Sequence, residues 1–237
     1  MKAVLLSLLI AGLAAGAAAQ TAAPAADVYR LGDREVVIPA PAGYVEATSR
    51  SERIKEFFTK TGSPDSDILA AHNSAEDMER ILRGEKFDFD IYTKVSIQKR
   101  LRATDVTRED FSQMVAKMRA AAPKALDLKS PGFQADLKRL NEQLDEWLMR
   151  LDLSQPVSLG DFVSTADAYG TLVLLKFKVT NSGGVKERLM VGSVSAVRVR
   201  NRLLWVYTYK NFHTEKDADD LRAFTERWLA EIVRANP

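Results

Sequence analysis

The chain has 237 residues, with 34 basic against 32 acidic, no cysteine and only two histidines. At 46% apolar residues, with three tryptophans, it is long and hydrophobic enough to bury a full core, which excludes a disordered tail. The near-neutral balance leaves no electrostatic footprint for nucleic acid, and the missing cysteine excludes both a disulfide framework and a lipid-modified N-terminal cysteine.

Lys2 is followed by an uncharged apolar run from Val4 to Ala18, and Ala17-Ala18-Ala19 has the small-x-small pattern of a signal peptidase site. Residues 1–19 therefore read as a signal peptide, with Gln20 at the mature N-terminus and the periplasm, or secretion, as the destination. The run is too short for a permanent span of roughly 30 Å of hydrocarbon, and no stop-transfer segment follows it. Residues 20–32 read as a flexible leader and 33–237 as a single domain.

Arg34 to Ile38 predicts a short strand, stopped by Pro39 and Pro41. Ser49 or Ser51 is placed to cap a helix through about Lys60, with Ile54, Phe57 and Phe58 inward. Asp67 to His72 reads as a brief strand, and Ser74 with Asp77 as a capping box opening a helix that ends at Gly84. From Phe89 to Lys99 the chain alternates, with Ile91, Thr93, Val95 and Ile97 on one face. A helix from Thr107 is expected to stop before Pro123. Ser130-Pro131 starts another, running to about Leu151 on the stripe Phe133, Leu137, Leu140, Leu144, Trp147 and Leu151.

After Pro156 the period becomes two. Runs near 157–167, 171–180, 186–200 and 202–210 are separated by Tyr169-Gly170, Asn181 to Gly184, and Asn201, which predicts an antiparallel meander. A last helix runs from Thr214 to Arg234 with Leu221, Phe224, Trp228, Leu229 and Ile232 on one side. The expected fold class is α+β, an antiparallel sheet meander covered by helices in α/β/α layers, with a helical insert at about 123–156 before the meander.

Two pieces, Val37-Ile38-Pro39-Ala40-Pro41-Ala42-Gly43-Tyr44 and Ile91-Tyr92-Thr93-Lys94-Val95-Ser96-Ile97-Gln98, together with the Phe111 and Trp228 helices, resemble an uncharacterised group of exported proteobacterial proteins. More distantly, the element order is similar to the Mog1/PsbP-like fold, which implies an antiparallel sheet between helix layers. The resemblance rests on packing residues and brings no catalytic motif with it.

Chemistry-bearing patterns are sparse. A zinc site would need His72 and His213 brought together from 141 positions apart, so no metal and no cofactor is expected. Asp65/Asp67, Asp88/Asp90 and Asp217 to Asp220 lack the glycine turn and ligand spacing of a calcium loop, and the last group suits a helix N-terminus. Ser96-Ile97-Gln98-Lys99 matches a Ser-x-x-Lys pattern but sits in a strand, where that nucleophile does not belong. Lys176, Lys178, Arg198 and Arg200 occupy even positions of neighbouring meander strands and are the candidate binding residues, a shared basic face for an anionic ligand. Leu203, Trp205, Tyr207 and Tyr209 form an aromatic row expected in the core beneath the last helix. These readings favour a non-enzymatic exported domain that binds an unknown protein or small-molecule partner. A small-molecule or lipid carrier, with a pocket between insert and sheet, is the runner-up, and a carboxylate hydrolase is the third.

Overall fold

A computed structural model describes residues 27–85, 91–125, 127–145, 150–181 and 184–237, so the expected signal peptide lies outside the described residues. Strands β1 (Asp27–Leu31) and β2 (Arg34–Ile38) form a hairpin. They are followed by β3 (Tyr44–Glu46), α1 (Glu52–Thr61), β4 (Ser66–Ser74), α2 (Ala75–Leu82) and β5 (Ile91–Gln98). Two helices, α3 (Arg108–Ala125) and α4 (Pro131–Asp145), precede β6 (Arg150–Leu153). The meander β7 (Val157–Ser164), β8 (Ala168–Asn181), β9 (Gly184–Val199) and β10 (Arg202–Asn211) leads to α5 (Glu215–Arg234). Strands β3 to β10 make one antiparallel sheet in the order β3-β4-β5-β10-β9-β8-β6, with β7 beside β6 on the same edge of β8. The fold is α+β with an open sheet between helix layers.

The helix starts follow their sequence signals. Ser51 Oγ accepts from the Ile54 N–H and Ser74 Oγ from the Asp77 N–H. Thr214 and Asp217 complete a reciprocal capping box at α5. Burial then decides which face each helix takes. Trp228, Leu229 and Ile232 of α5 pack with Leu31, Val36 and Ile38 of the hairpin on Val95, Val197, Leu204 and Val206 of the sheet. Each such side chain contributes about 1.5–3 kcal/mol by leaving water.

One row under α5 is polar. His72, Thr93, Thr208 and Ser193 are successive cross-strand partners on β4, β5, β10 and β9, all fully buried. Ser193 and Thr208 hydroxyls lie 2.7 Å apart, Thr208 and Thr225 likewise, and Thr225 donates to the Leu221 carbonyl at 2.8 Å. The chain of hydroxyls satisfies itself, so its burial costs little.

The opposite face carries the other four helices. Ile54 and Phe58 of α1 and Met78 of α2 pack on Ala71 and Tyr92, while Phe111 and Val115 of α3 pack on Tyr169, Ala196 and Leu203. Trp205 belongs to this second face, packed against α3 and not, as the sequence predicts, beneath α5. Alternation separates Leu203, Trp205, Tyr207 and Tyr209 correctly from Leu204, Val206 and Thr208. It is the less aromatic set that α5 covers.

Four boundaries also differ. Asp27–Leu31, expected in the leader, pairs with β2 as β1. Helix α3 runs on to Ala125, past Pro123. The insert helix ends at Asp145, and Arg150–Leu153 becomes strand β6 because β8 offers it backbone partners from Phe177 to Thr180. Trp147 of the expected stripe lies outside the described residues. Gly170 is no turn residue: the reversal is at Thr165–Asp167, and a Cβ on Gly170 would meet the Phe162 ring at 2.6 Å and Ser195 Oγ at 2.7 Å.

Candidate functional site

The four basic residues singled out by the sequence do not share a face. In the β8–β9 ladder every even-numbered residue of β8 pairs with an odd-numbered residue of β9, so even positions on the two strands point to opposite sides. Lys176 sits opposite Leu189 and Lys178 opposite Glu187, nine or more positions from Arg198, or about 30 Å at 3.3 Å per residue. Both lysines instead pair with Glu187, at 3.2 and 3.0 Å, and hold its carboxyl below the ordinary glutamate range through hydrogen bonds from Lys178 and then Lys176. They form a solvated ion-pair cluster of little energetic weight.

Arg198 and Arg200 remain together, in a cleft that Arg34 and Arg108 complete. Its volume is about 420 Å³, and its lining also includes Asp167, Asn201 and Asn236. Arg198 leaves the end of β9 with a side chain only 12% exposed. Its guanidinium donates to Asp167 through Nε at 2.8 Å and through Nη2, and to Asn201 Oδ1 through Nη1 at 2.7 Å. Asp167 is held in turn by the Thr165–Ala168 turn, where Thr165 Oγ1 accepts from the Ala168 N–H at 2.9 Å. Arg108, 71% exposed at the start of α3, reaches the other Asp167 oxygen at 3.4 Å. Arg34 approaches Asp33 at 3.6 Å.

Arg200 and Asn201 are the two residues of the β9–β10 turn, with φ of 46° and 59°. Two successive positive φ values suit the right-handed twist of a hairpin, and glycine or asparagine takes them most easily. Arginine there costs about 1–2 kcal/mol. Among the described residues Arg200 forms no ion pair, and its side chain stands exposed at the cleft. The arrangement is thus a fixed arginine and a partly engaged one sharing Asp167, a second partly engaged one beside Asp33, and a strained arginine without an ion pair. Its excess positive charge and forked donors match a carboxylate or phosphate group.

The scaffold behind the cleft is rigid. Asn236 at the end of α5 accepts from the Val37 N–H at 2.8 Å and donates to its carbonyl at 2.7 Å, clamping helix to hairpin. Arg202, only 1% exposed, donates to the Leu31 carbonyl at 3.0 Å, to Asp33 at 2.6 Å and to Asp105. It is fully engaged and ties the hairpin to the loop before α3.

Other patterns read from the sequence fall elsewhere. His72 is buried in the polar row and His213 is exposed before α5; among the described residues no group of three potential ligands could hold a metal. Asp217 serves the α5 cap, its carboxyl lowered to about 2 by the backbone N–H groups of His213 and Thr214. Asp88 and Asp90 lie outside the described residues. Arg34 and Arg108 carried no binding signal in the sequence, since each reads only as the first residue or so of a strand or a helix, and only the hairpin and α3 bring them to the turn.

No known family model matches the chain, and no curated relative does. Among the described residues no helix is long and apolar enough to cross a membrane. The chain is similar to solved structures at the level of distant fold likeness. One is the Ran-binding protein Mog1p of Saccharomyces cerevisiae, at 12% identity and a TM-score of 0.32, over 89% of this chain and 95% of that one. Another is a Mog1 variant at 13% and 0.34, over 89% and 94%. A third is a protein of unknown function from Pseudomonas aeruginosa at 12% and 0.20, over 90% and 96%. The likeness is to the Mog1 type of fold, and no residue role passes through it.

Proposed function

We propose that the chain is an exported, non-enzymatic binding domain that engages an anionic partner at the arginine cleft. The observation that carries this reading is Arg200, held in a left-handed turn conformation with an unpaired guanidinium beside three further arginines. Strain retained at an exposed residue is characteristic of positions kept for recognition. Arginines stay charged at every ordinary pH, so the cleft recognises negative charge and does no proton transfer.

Isothermal titration with a hexaglutamate peptide tests the reading. Binding should weaken as salt rises and vanish in Arg200→Glu, with the melting temperature kept; no binding by the parent protein would refute it. Arg200→Gly separates strain from function. Relief of the left-handed strain outweighs the extra chain entropy of glycine, so stability should hold or rise by up to about 1 kcal/mol while affinity falls. A stability loss above about 1 kcal/mol would show that Arg200 holds the fold instead.

Export rests on the N-terminal pattern of Lys2, the Val4–Ala18 run and Ala17-Ala18-Ala19. The intact mass of protein from the envelope fraction should correspond to a chain starting at Gln20. A full-length chain confined to the cytoplasm would overturn this part of the reading.

A further inference from the structure

The sheet edge at β4 is covered over only part of its length. Strand β3 pairs with β4 at His72, Asn73 and Ser74, and the Ala47 N–H adds a bond to the Ala71 carbonyl at 2.8 Å before the chain turns away into α1. From Ser66 to Ala70, about 16 Å of strand, β4 has β5 on one side and no strand on the other.

The register fixes which backbone groups face outward there. Ala71, Ile68 and Ser66 pair with Lys94, Ser96 and Gln98, alternate residues of β5, so all three share one orientation. The bulge between Ile68 and Ala70 adds a residue to β4 and preserves this phase. Ala71 points away from β5, since its carbonyl serves Ala47, and so does Ser66, whose N–H donates to the Ser63 carbonyl at 3.1 Å. Ile68 therefore turns both its N–H and its carbonyl to the open side. Among the described residues no group bonds these two or the Ser66 carbonyl. An unpaired row of this kind is a template for another strand.

The row opens onto a cleft of about 550 Å³, which Tyr29 of β1 and Gly62 to Pro64 after α1 also line. Its apolar groups lie on both faces of the sheet. Ile68 packs with α1 and α2 on one face, while Leu69 and Tyr29 belong to the core under α5 on the other. A strand laid along the edge would thus find apolar surface for successive side chains, whichever way each points.

Charge narrows the choice of occupant. Arg102 in the cleft is engaged, by Asp67 at 3.0 Å and by the Arg30 carbonyl at 2.9 Å. Lys99 is exposed and donates to the Pro64 carbonyl at 2.7 Å, and neither it nor Arg100 forms an ion pair among the described residues. With Asp65 alone beside them, this end of the cleft keeps a net positive charge. It is the complement of an acidic side chain.

We propose that the open edge of β4 is a docking site for an extended peptide segment of a partner protein, added in line with β3 and carrying an acidic side chain that meets Lys99. Backbone bonds to Ile68 and Ser66 set the register, and Lys99 selects the charge. The site is separate from the arginine cleft: it needs a peptide backbone, where the cleft reads charge alone.

The test is fluorescence polarisation of a labelled heptapeptide of alternating valine and threonine with one central glutamate, on the full chain. The parent should bind one peptide saturably, and absence of binding would overturn the proposal. Methylating alternate peptide nitrogens should weaken binding by about 10–100-fold in one phase, which faces β4, and leave it nearly unchanged in the other. Loss of that phase dependence, whether both forms bind or neither does, would overturn it. Amide exchange at Ile68 should slow at least about tenfold when the peptide saturates the protein, as a newly bonded edge requires, and unchanged exchange there refutes the placement. Lys99→Glu should weaken the peptide by about 3–10-fold and favour the version with lysine in place of glutamate. The same preference in parent and variant would remove Lys99 from the site and overturn the charge selection. Arg200→Glu should bind the peptide as the parent does, whereas loss there would move it to the arginine cleft and overturn the second site.

Discussion

Replacing Trp228 by alanine should cost about 3–5 kcal/mol, read as a lower denaturant midpoint with unchanged slope. The indole is 1% exposed, at the centre of the α5 contact with the sheet and the β1–β2 hairpin. Its Nε1 donates to the Pro39 carbonyl at 2.8 Å, and its ring meets His72 edge to face at 5.4 Å. Truncation therefore loses the transfer energy of a large ring, leaves a cavity between three elements, and strips an acceptor of its donor. Against a typical stability of about 5–15 kcal/mol this is a large fraction. Trp205→Ala, on the half-covered face, should cost clearly less, because that ring is only partly buried and its Nε1 has no bond to lose. Equal losses at the two positions would contradict the assignment of faces.

Mild acid should destabilise the protein through His72. The imidazole is fully buried, its Nδ1 lies 3.1 Å from Thr93 Oγ1, and its Nε2 has no partner. Desolvation lowers its pKa from the ordinary 6.5 to about 4, opposed only in part by the charge of Glu46, its cross-strand neighbour. Glu46 itself pays for burial, but hydrogen bonds from Ser49 and Thr48 outweigh this and hold it below its ordinary value, so it stays charged through most of the window. A pKa depressed in the folded state means that the unfolded chain binds the proton first. The stabilisation is complete above about pH 6.5 and declines by about 1.4 kcal/mol per unit down to about pH 4, for a total of roughly 3 kcal/mol. Urea midpoints of the parent and His72→Gln across that range isolate the effect, since other carboxylates titrate alike in both. The stability difference between the two should shrink as the pH falls, and a constant difference would rule the mechanism out.

What a sequence settles by itself is what depends on neighbours along the chain. Period two after Pro156 located β7 to β10, and the spacing of Leu221, Phe224, Trp228 and Ile232 located α5, because these patterns follow from how side chains alternate on a strand or wind around a helix. Ser51, Ser74 and the Thr214–Asp217 pair marked helix starts, because a cap is a bond within a few residues. The α+β class followed from the order of such elements.

Tertiary structure decided everything that depends on which residue meets which. Alternation split β10 into two faces but carried no information on which one α5 covers. The same pattern in β8 and β9 suggested one basic face, and an odd register between the strands put Lys176 and Lys178 on the side away from Arg198. The end of α4 turned on a partner, since Leu151 continues a helical stripe by spacing alone yet pairs with Val179 once β8 lies beside it. The arginine cleft joins residues from β2, α3, the β7–β8 turn and the β9–β10 turn, far apart along the chain. No local rule links them, because a binding site is a property of distances through space, and those exist only when the chain has closed on itself.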